Sequence, residues 1–144
     1  MLYQTADVAT VLNYEMQLDY RPNQETLLHL GYSWIDIDSK RAFIDYGASA
    51  PHHSLDFLAS YQFPGQWQAS VGYYFQSPMT YLRSSKIGQF QRLDFILQKS
   101  LKFTQRQSIN FALIHQNVLG TKDEFTVGHR LSDHTLFQVS YRFE

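Results

Sequence analysis

The sequence contains no cysteine, and its net charge at pH 7 is only −1. The absence of cysteine excludes disulfides and thiolate metal sites. No apolar run reaches the roughly 18 residues that a membrane-spanning helix needs, so a transmembrane helix is excluded as well. The balanced charge does not favour a nucleic acid or an anionic surface as partner. These absences leave open a β-rich fold, including one that crosses a membrane with strands.

What the sequence does contain is strict alternation of apolar and polar residues. Residues 12–20 show it most clearly: Leu12, Tyr14, Met16, Leu18 and Tyr20 alternate with Asn13, Glu15, Gln17 and Asp19. Because successive side chains of a strand point to opposite faces, this stretch predicts a strand with one apolar and one polar face. Helical periodicity does not compete over a comparable length.

Seven stretches of this kind predict seven antiparallel strands in chain order. Their expected bounds are 10–21, 26–37, 53–63, 66–76, 90–101 and 107–117, and the seventh closes the chain after the loop that ends at about residue 133, with its alternating positions at 137–143. Short turns at 21–25, 64–65 and 102–105 alternate with long loops at 38–51, 77–89 and 118–133. A further short strand is expected around residues 125–127, inside the last loop. This rhythm is typical of outer-membrane barrels, which have short periplasmic turns and long outer loops.

Strand length favours a membrane barrel over a soluble one. Nine residues of strand span about 30 Å, and at a tilt of about 40° they cover about 23 Å of height. That height is close to the apolar band of a transmembrane barrel, about 25 Å. The alternative, a soluble lipid-binding barrel, would lack the regular alternation of short and long connections. The sequence therefore predicts an all-β fold, an antiparallel transmembrane β-barrel segment of about seven meandering strands.

Aromatic residues are abundant, at 16% of the chain. Transmembrane barrels gather such residues into girdles at both membrane interfaces. The outer girdle is predicted to contain Tyr32, Trp34, Tyr73 and Phe75, and the periplasmic girdle Tyr20, Phe63, Trp67 and Phe143.

Five stretches carry a resemblance to a known family. They are YEMQLDYRP at 14–22, LGYSW at 30–34, PHHSLDFLASYQFP at 51–64, NVLG at 117–120 and VSYRF at 139–143. In order and spacing they resemble the C-terminal part of the barrel of TonB-dependent outer-membrane receptors, over almost the whole of residues 1–144. The family usually has Phe-Asp where this chain has Leu119 and Gly120, and here Glu144 follows the terminal aromatic residue.

The resemblance implies a function and a set of partners. Such receptors take up siderophore-bound iron, cobalamin or similar nutrients across the cell outer membrane, and contact lipid and lipopolysaccharide. A plug domain fills the barrel and couples it to TonB, and neither plug nor TonB-contacting segment is found in this sequence. The closing strand implies an assembly signal read by the barrel-assembly machinery, formed by Phe137, Val139, Tyr141 and Phe143.

The strand count predicts a fragment that does not act alone. Receptor barrels of this type have 22 strands, so seven would be about a third of one. An odd number of strands cannot close by antiparallel pairing alone, and open edges in hydrocarbon cost tens of kcal/mol by order of magnitude. Residues 1–7 also lack the basic and apolar segments of a signal peptide.

A second architecture remains open. If residues 1–9 supply an eighth strand, the chain would be a small self-contained barrel, porin-like, structural or a lipid-modifying enzyme. An enzyme of that kind would need a Ser–His pair on the lipid-facing surface. His53, Ser54 and Asp56 do not form a triad, because only Ser54 and Asp56 share a face. His129, Asp133 and His134 could bind a metal, but polar loop residues are the preferred interpretation, so no catalytic, cofactor or metal site is predicted.

Overall fold

The structure, a computed structural model, describes residues 9–39, 46–81, 85–104, 106–119 and 132–143. These residues form nine strands: β1 (Ala9–Tyr20), β2 (Thr26–Ser39), β3 (His53–Phe63), β4 (Trp67–Gln76), β5 (Met79–Tyr81), β6 (Ser85–Ile87), β7 (Phe90–Lys102), β8 (Gln107–Gln116) and β9 (His134–Phe143). Within these ranges no helix is long and apolar enough to span a bilayer.

Seven of the strands form one antiparallel sheet in the order β1-β2-β3-β4-β7-β8-β9. Among the described strands, β5 and β6 pair only with each other, as a separate hairpin. The sheet does not close on itself, so β1 and β9 are its two edges in the described part of the chain. The prediction of an all-β, antiparallel meander of seven long strands is therefore confirmed, whereas a closed barrel is not observed.

Several predicted boundaries differ from the observed ones. Strand β2 continues to Ser39 and β7 to Lys102, two residues and one residue past their predicted ends, whereas β9 begins at His134, directly after the predicted loop. The interval 77–89, predicted as a loop, contains the β5–β6 hairpin. Three-residue strands are too short to show an alternating pattern, which explains why the sequence did not indicate them. The short strand expected at 125–127 lies outside the described residues.

Two residues with a left-handed backbone explain where strands begin and end. Gln66 has φ 65° and follows Gly65 at φ 76°, so β4 begins at Trp67 and not at the predicted Gln66. Asn117 has φ 57° and lies just after the end of β8. Asparagine enters this region more readily than most residues because its short side chain can form local hydrogen bonds.

The sheet has almost no interior. Among the described hydrophobic residues only Ile87 and Ala112 are buried, and Asn117 is the one buried polar residue. The accessible surface is 11200 Å². A compact monomer of 16.9 kDa is expected to expose only about 7,700 Å². Neither face of the long sheet is therefore covered by a second layer in the described part of the chain.

Candidate functional site

The register divides the long sheet into two surfaces, the apolar face and the polar face. The apolar face contains Leu12, Tyr14, Met16, Leu18, Tyr20, Leu28, Leu30, Tyr32, Trp34, Leu55, Phe57, Ala59, Tyr61, Phe63, Trp67, Ala69, Val71, Tyr73, Phe75, Leu93, Phe95, Leu97, Lys99, Leu101, Ile109, Phe111, Leu113, His115, Phe137, Val139, Tyr141 and Phe143, and, near the strand ends, the polar residues Thr10, Thr26, Asp36, Asp38, His53, Gln91, Gln107 and Thr135. The polar face contains Asn13, Glu15, Gln17, Asp19, His29, Gly31, Ser33, Ser39, Ser54, Asp56, Leu58, Ser60, Gln62, Gln68, Ser70, Gly72, Tyr74, Gln76, Arg92, Asp94, Ile96, Gln98, Ser100, Lys102, Ser108, Asn110, Ala112, Gln116, His134, Gln138, Ser140 and Arg142, and, near the strand ends, the hydrophobic residues Ala9, Val11, Leu27, Ile35, Ile37, Phe90, Ile114 and Leu136.

The apolar face is unusually exposed for large hydrophobic side chains. Leu18 on β1 is 55% exposed, Leu113 on β8 is 47% exposed and Phe137 on β9 is 68% exposed. Monomeric soluble proteins rarely expose contiguous apolar patches larger than a few hundred Å². A face of this composition that extends across seven strands therefore requires an apolar environment or an apolar partner.

All eight aromatic residues predicted for the membrane interfaces lie on the apolar face. Trp34 contacts Tyr14 with ring centroids 5.5 Å apart, and Phe63 meets Tyr61 edge-on at 4.6 Å. At Trp67 the ammonium of Lys99 lies 4.9 Å from the ring centroid and also donates to the carbonyl of Gly65 in the β3–β4 turn. The role of these residues at a membrane interface stays a prediction.

The four residues of the predicted assembly signal also share the apolar face. Phe137, Val139, Tyr141 and Phe143 alternate along β9, which is an edge of the sheet. Their exposed fractions run from 53% at Val139 to 72% at Phe143. The proposed signal is thus an accessible apolar stripe on an edge strand that pairs only with β8 among the described strands, and its recognition remains a prediction.

The polar face carries an ion-paired cluster that the sequence did not indicate. The His29 ring on β2 bridges two carboxylates: Nδ1 lies 2.5 Å from Asp19 Oδ1 on β1, and Nε2 lies 3.0 Å from Asp56 Oδ2 on β3. A neutral imidazole has a single N–H, so two donated bonds to ionised carboxylates require the doubly protonated ring. The cluster links three adjacent strands by charge.

Gly31 makes this arrangement sterically feasible. It pairs with Asp56 in the β2–β3 register, and a Cβ placed on Gly31 would overlap the Asp56 carboxylate. A glycine within an otherwise regular strand often marks a close approach by another group. That was the signal available in the sequence, but the identity of the approaching group depends on a register that one strand alone does not encode.

A second cluster joins β7 to the segment after β8. Arg92 donates from Nε to both oxygens of Asp94, each at 2.9 Å, and its Nη2 lies 2.8 Å from Asp94 Oδ2. The backbone N–H of Asn117 also donates to Asp94 Oδ1, at 2.9 Å. The N–H of Val118 then donates to the Leu93 carbonyl at 2.9 Å. Asp94 therefore fixes the point at which the chain leaves the sheet after β8.

Between the two clusters the polar face forms an open central hollow of about 550 Å³. Gly72 lies at its floor, and a Cβ there would meet no atom within 4 Å. Leu58, Tyr74 and Phe90 contribute to its walls, and the last two rings meet at 5.7 Å. The hollow combines aromatic surface with side chains that are already ion-paired to each other.

A second hollow, of about 540 Å³, lies at the turn between β7 and β8. We refer to it as the turn-side hollow, and its lining residues are Lys102, Phe103, Thr104, Arg106, Gln107, Ser108 and Arg142. Three of these seven side chains are cationic and none is acidic. No sequence pattern indicated it, because its cations come from β7, from the turn and from β9.

The histidine positions bear on the enzyme and metal alternatives. His53 lies on the apolar face, where the Tyr32 hydroxyl is 2.8 Å from its Nδ1, so it does not join Ser54 and Asp56 on the polar face. His115, on the same apolar face, bonds the Thr135 hydroxyl at 2.7 Å. These rings thus bond a tyrosine and a threonine rather than a serine. No group of three His, Asp or Glu side chains that could hold a metal ion occurs in the described part, and His129 lies outside it.

Comparison of the chain with protein-family models, curated proteins and solved structures finds no match. The resemblance to TonB-dependent receptors therefore rests on the sequence stretches alone. The two faces and their clusters define the chain as an amphipathic antiparallel β-sheet protein, and the function below is argued from their geometry.

Proposed function

We propose that this chain is a stretch of the wall of an outer-membrane β-barrel, with its apolar face toward lipid and its polar face toward the lumen. The proposal accounts for the concentration of large exposed hydrophobic side chains on one face and of paired charges on the other. It also accounts for the lack of a core, since a barrel wall buries its apolar face in the bilayer and not in a second protein layer.

The stagger of the strands is the observation that carries the proposal. One row of paired residues crosses the whole sheet: Tyr20, Leu28, Ala59, Val71, Phe95, His115 and Thr135. Tyr20 is the last residue of β1, whereas Thr135 lies eight residues (143 − 135) before the end of β9 at Phe143.

This stagger corresponds to a definite tilt. Across the six strand-to-strand steps of the sheet, the turn-side end moves about 26 Å along the strands and about 29 Å across them. If the short turns lie level at one membrane surface, the strands tilt by about 42° from the axis. Transmembrane barrels have tilts of about 35–45°.

The same geometry arranges the apolar face into a band. A line from Tyr20 to Phe143 passes through Trp67 on β4 and comes within about 5 Å of Phe63 on β3. These are the four aromatic residues predicted for the periplasmic girdle. Above that line the face stays apolar, apart from Lys99 at about 3 Å, until His115, at about 16 Å, and Asp36, at about 23 Å. The band is thus close to the height of about 25 Å that outer-membrane barrels present to lipid.

Both edges of the sheet present backbone groups that bond no other strand in the described part of the chain. Ile35 N donates to the His52 carbonyl at 3.0 Å, so odd-numbered residues of β2 bond β3 and even-numbered ones bond β1. The odd-numbered residues of β1 therefore direct their N–H and C=O groups outward. Phe103 N donates to the Gln107 carbonyl, so odd-numbered residues of β8 bond β7 and even-numbered ones bond β9. The odd-numbered residues of β9 therefore also direct their N–H and C=O groups outward.

Each edge thus exposes about ten backbone groups, and in hydrocarbon each costs several kcal/mol. Closure by antiparallel pairing alone needs an even total, so the strands that complete this wall are odd in number. One further strand would give a small eight-stranded barrel, and fifteen would give the 22 strands of a receptor barrel. The resemblance favours the second count and, with it, transport of siderophore-bound iron, cobalamin or a similar nutrient through a barrel that holds a plug.

The first test uses the absence of cysteine. Single variants Tyr73→Cys and Tyr74→Cys place a nitroxide label on the apolar and polar faces of the same strand. In the chain bound to detergent micelles, we expect the first label to contact oxygen dissolved in the apolar phase and the second to contact a water-soluble nickel complex. Equal contact with the nickel complex at both sites would contradict the proposal.

A second test separates the two strand counts. The refolded chain is run on a semi-native gel with and without heating. A wall segment with open edges gives no heat-dependent shift and aggregates, as the receptor count requires. A heat-dependent shift would mean that the chain closes by itself, and the small-barrel count would replace the receptor count.

A further inference from the structure

The turn-side hollow brings three cations together around one hydroxyl. Lys102 on β7, Ser108 on β8 and Arg142 on β9 pair directly across the strands, and all three lie on the polar face. Each Cβ is about 5 Å from its neighbour across the strand, so the two cations flank the serine. Arg106 enters the same hollow from the turn, two residues before Ser108.

These cations differ from the other cations of the polar face. His29 is held by Asp19 and Asp56, and Arg92 is held by Asp94. No ion pair joins Lys102, Arg106 or Arg142 to a carboxylate of the described residues. Asp94, the carboxylate that precedes Lys102 on β7, is eight residues away (102 − 94), or about 26 Å along the strand.

Three cations that share one hollow and pair with no carboxylate of the described residues repel each other, and an anion placed among them is attracted by all three. We propose that the turn-side hollow binds a phosphate-type oxyanion above Ser108, with Lys102, Arg106 and Arg142 as its charged donors and the serine hydroxyl as a neutral donor. A tetrahedral oxyanion has enough oxygens to accept from donors that arrive from three directions, and arginine is suited to phosphate because its planar fork can donate two parallel bonds.

The size and position of the hollow agree with this ligand. Its volume of about 540 Å³ admits a phosphate group with water or an attached organic group. Gln107 and Thr104 add polar atoms to the lining. The assignment depends on the registers of β7, β8 and β9 and on the turn that carries Arg106, so it is independent of whether the apolar face contacts lipid.

The test measures binding of inorganic phosphate to the full chain in an amine-oxide detergent, which contains no phosphate. We expect saturable binding that perturbs the amide resonances of Gln107 and Ser108 and weakens as salt is added. Arg142→Gln and Lys102→Gln should each weaken binding about tenfold, the loss expected for one charge-assisted contact. Lys86→Gln, an exposed cation of β6 outside the hollow, should leave it unchanged.

The source of the phosphate group is tested by competition. If vesicles of phosphatidylglycerol displace inorganic phosphate and vesicles of phosphatidylcholine do not, the hollow takes an anionic headgroup. If neither displaces it, the hollow takes a free phosphate or a soluble phosphomonoester. Absence of saturable binding, equal loss in Lys86→Gln, or binding of an oligoglutamate peptide without binding of phosphate would each overturn the proposal.

Discussion

Gly31 and Asp56 stand directly opposite each other across β2 and β3, and the Asp56 carboxylate occupies the space that a side chain at Gly31 would need. The other side of that carboxylate meets His29 Nε2 at 3.0 Å, and His29 reaches on to Asp19. One absent side chain therefore makes room for a charged row that joins the edge strand β1 to the two strands behind it.

Gly31→Ala is expected to destabilise the sheet. The new methyl group would overlap the Asp56 carboxylate and displace it from His29, and overpacking of this kind costs about 1–3 kcal/mol. The quantity to measure is the free energy of unfolding in urea, with the chain bound to detergent micelles.

Gly72→Ala is the matched control, since a Cβ there meets nothing within 4 Å. We expect a change within about 1 kcal/mol, of either sign. Combining Gly31→Ala with Asp56→Ala should recover most of the stability lost through the clash, because the new methyl group then has no carboxylate to overlap. A double variant as unstable as the sum of both singles would show that the Asp56 contact is not the cause.

The variants Val139→Arg and Gln138→Arg should lose very different amounts of unfolding free energy in a bilayer, although the two positions are neighbours on β9. Val139 lies about 10 Å above the line from Tyr20 to Phe143, near the middle of the proposed band. An arginine there costs about 2–4 kcal/mol when it faces lipid, whereas one at Gln138 faces the polar side and costs little. Urea titration of the chain in phospholipid bicelles measures both, and equal losses would argue against the assignment of faces.

The position of Lys99 predicts a second depth effect. It lies beside Trp67 and bonds the turn carbonyl of Gly65, so its charge stays at the boundary of the apolar band. Exchanging it with Leu97, as Leu97→Lys with Lys99→Leu, moves the charge two residues, or about 5 Å, into the band. We expect the free energy of unfolding to fall by roughly 1–2 kcal/mol in bicelles, since the cost of lysine rises with depth. In a zwitterionic detergent, which adapts to the charge, we expect no loss.

Phe143→Ser is expected to impair assembly into outer membranes more than Phe103→Ser. Both rings are exposed, at 72% and 61%, but Phe143 belongs to the apolar stripe of β9 and Phe103 to a turn. The measurement is the fraction of each variant recovered in the outer-membrane fraction after co-expression with the strands that complete the wall. Equal recovery would remove Phe143 from the assembly signal.

The strands and their faces could be predicted because the alternation is local. The alternation within each of the seven long strands is enough to show which side chains share a face. The face of Trp34, Phe63 and Tyr73 therefore followed from the sequence without knowledge of the neighbouring strands. The end of β8 was predicted to within one residue, and the left-handed backbone of Asn117 explains why the strand stops there.

The polar clusters could not be predicted because they depend on register. Asp19, His29 and Asp56 are placed on one face by alternation, but only the combined β1–β2 and β2–β3 registers bring them together. The turn-side hollow depends in the same way on two registers and a turn. The β5–β6 hairpin was missed for a different reason, since three-residue strands are too short to show a period.

The stagger of the wall also sets the size of the tube it belongs to. At a tilt of about 42° and a strand spacing of about 4.8 Å, eight strands close into a cylinder about 17 Å across, measured between backbones. With 22 strands the same tilt gives a cylinder about 45 Å across. In the narrow tube the polar faces would meet across the axis and fill it with side chains, whereas the wide one leaves room for a folded domain. The radius of curvature of these seven strands in solution is therefore a direct readout of how many more the complete wall contains.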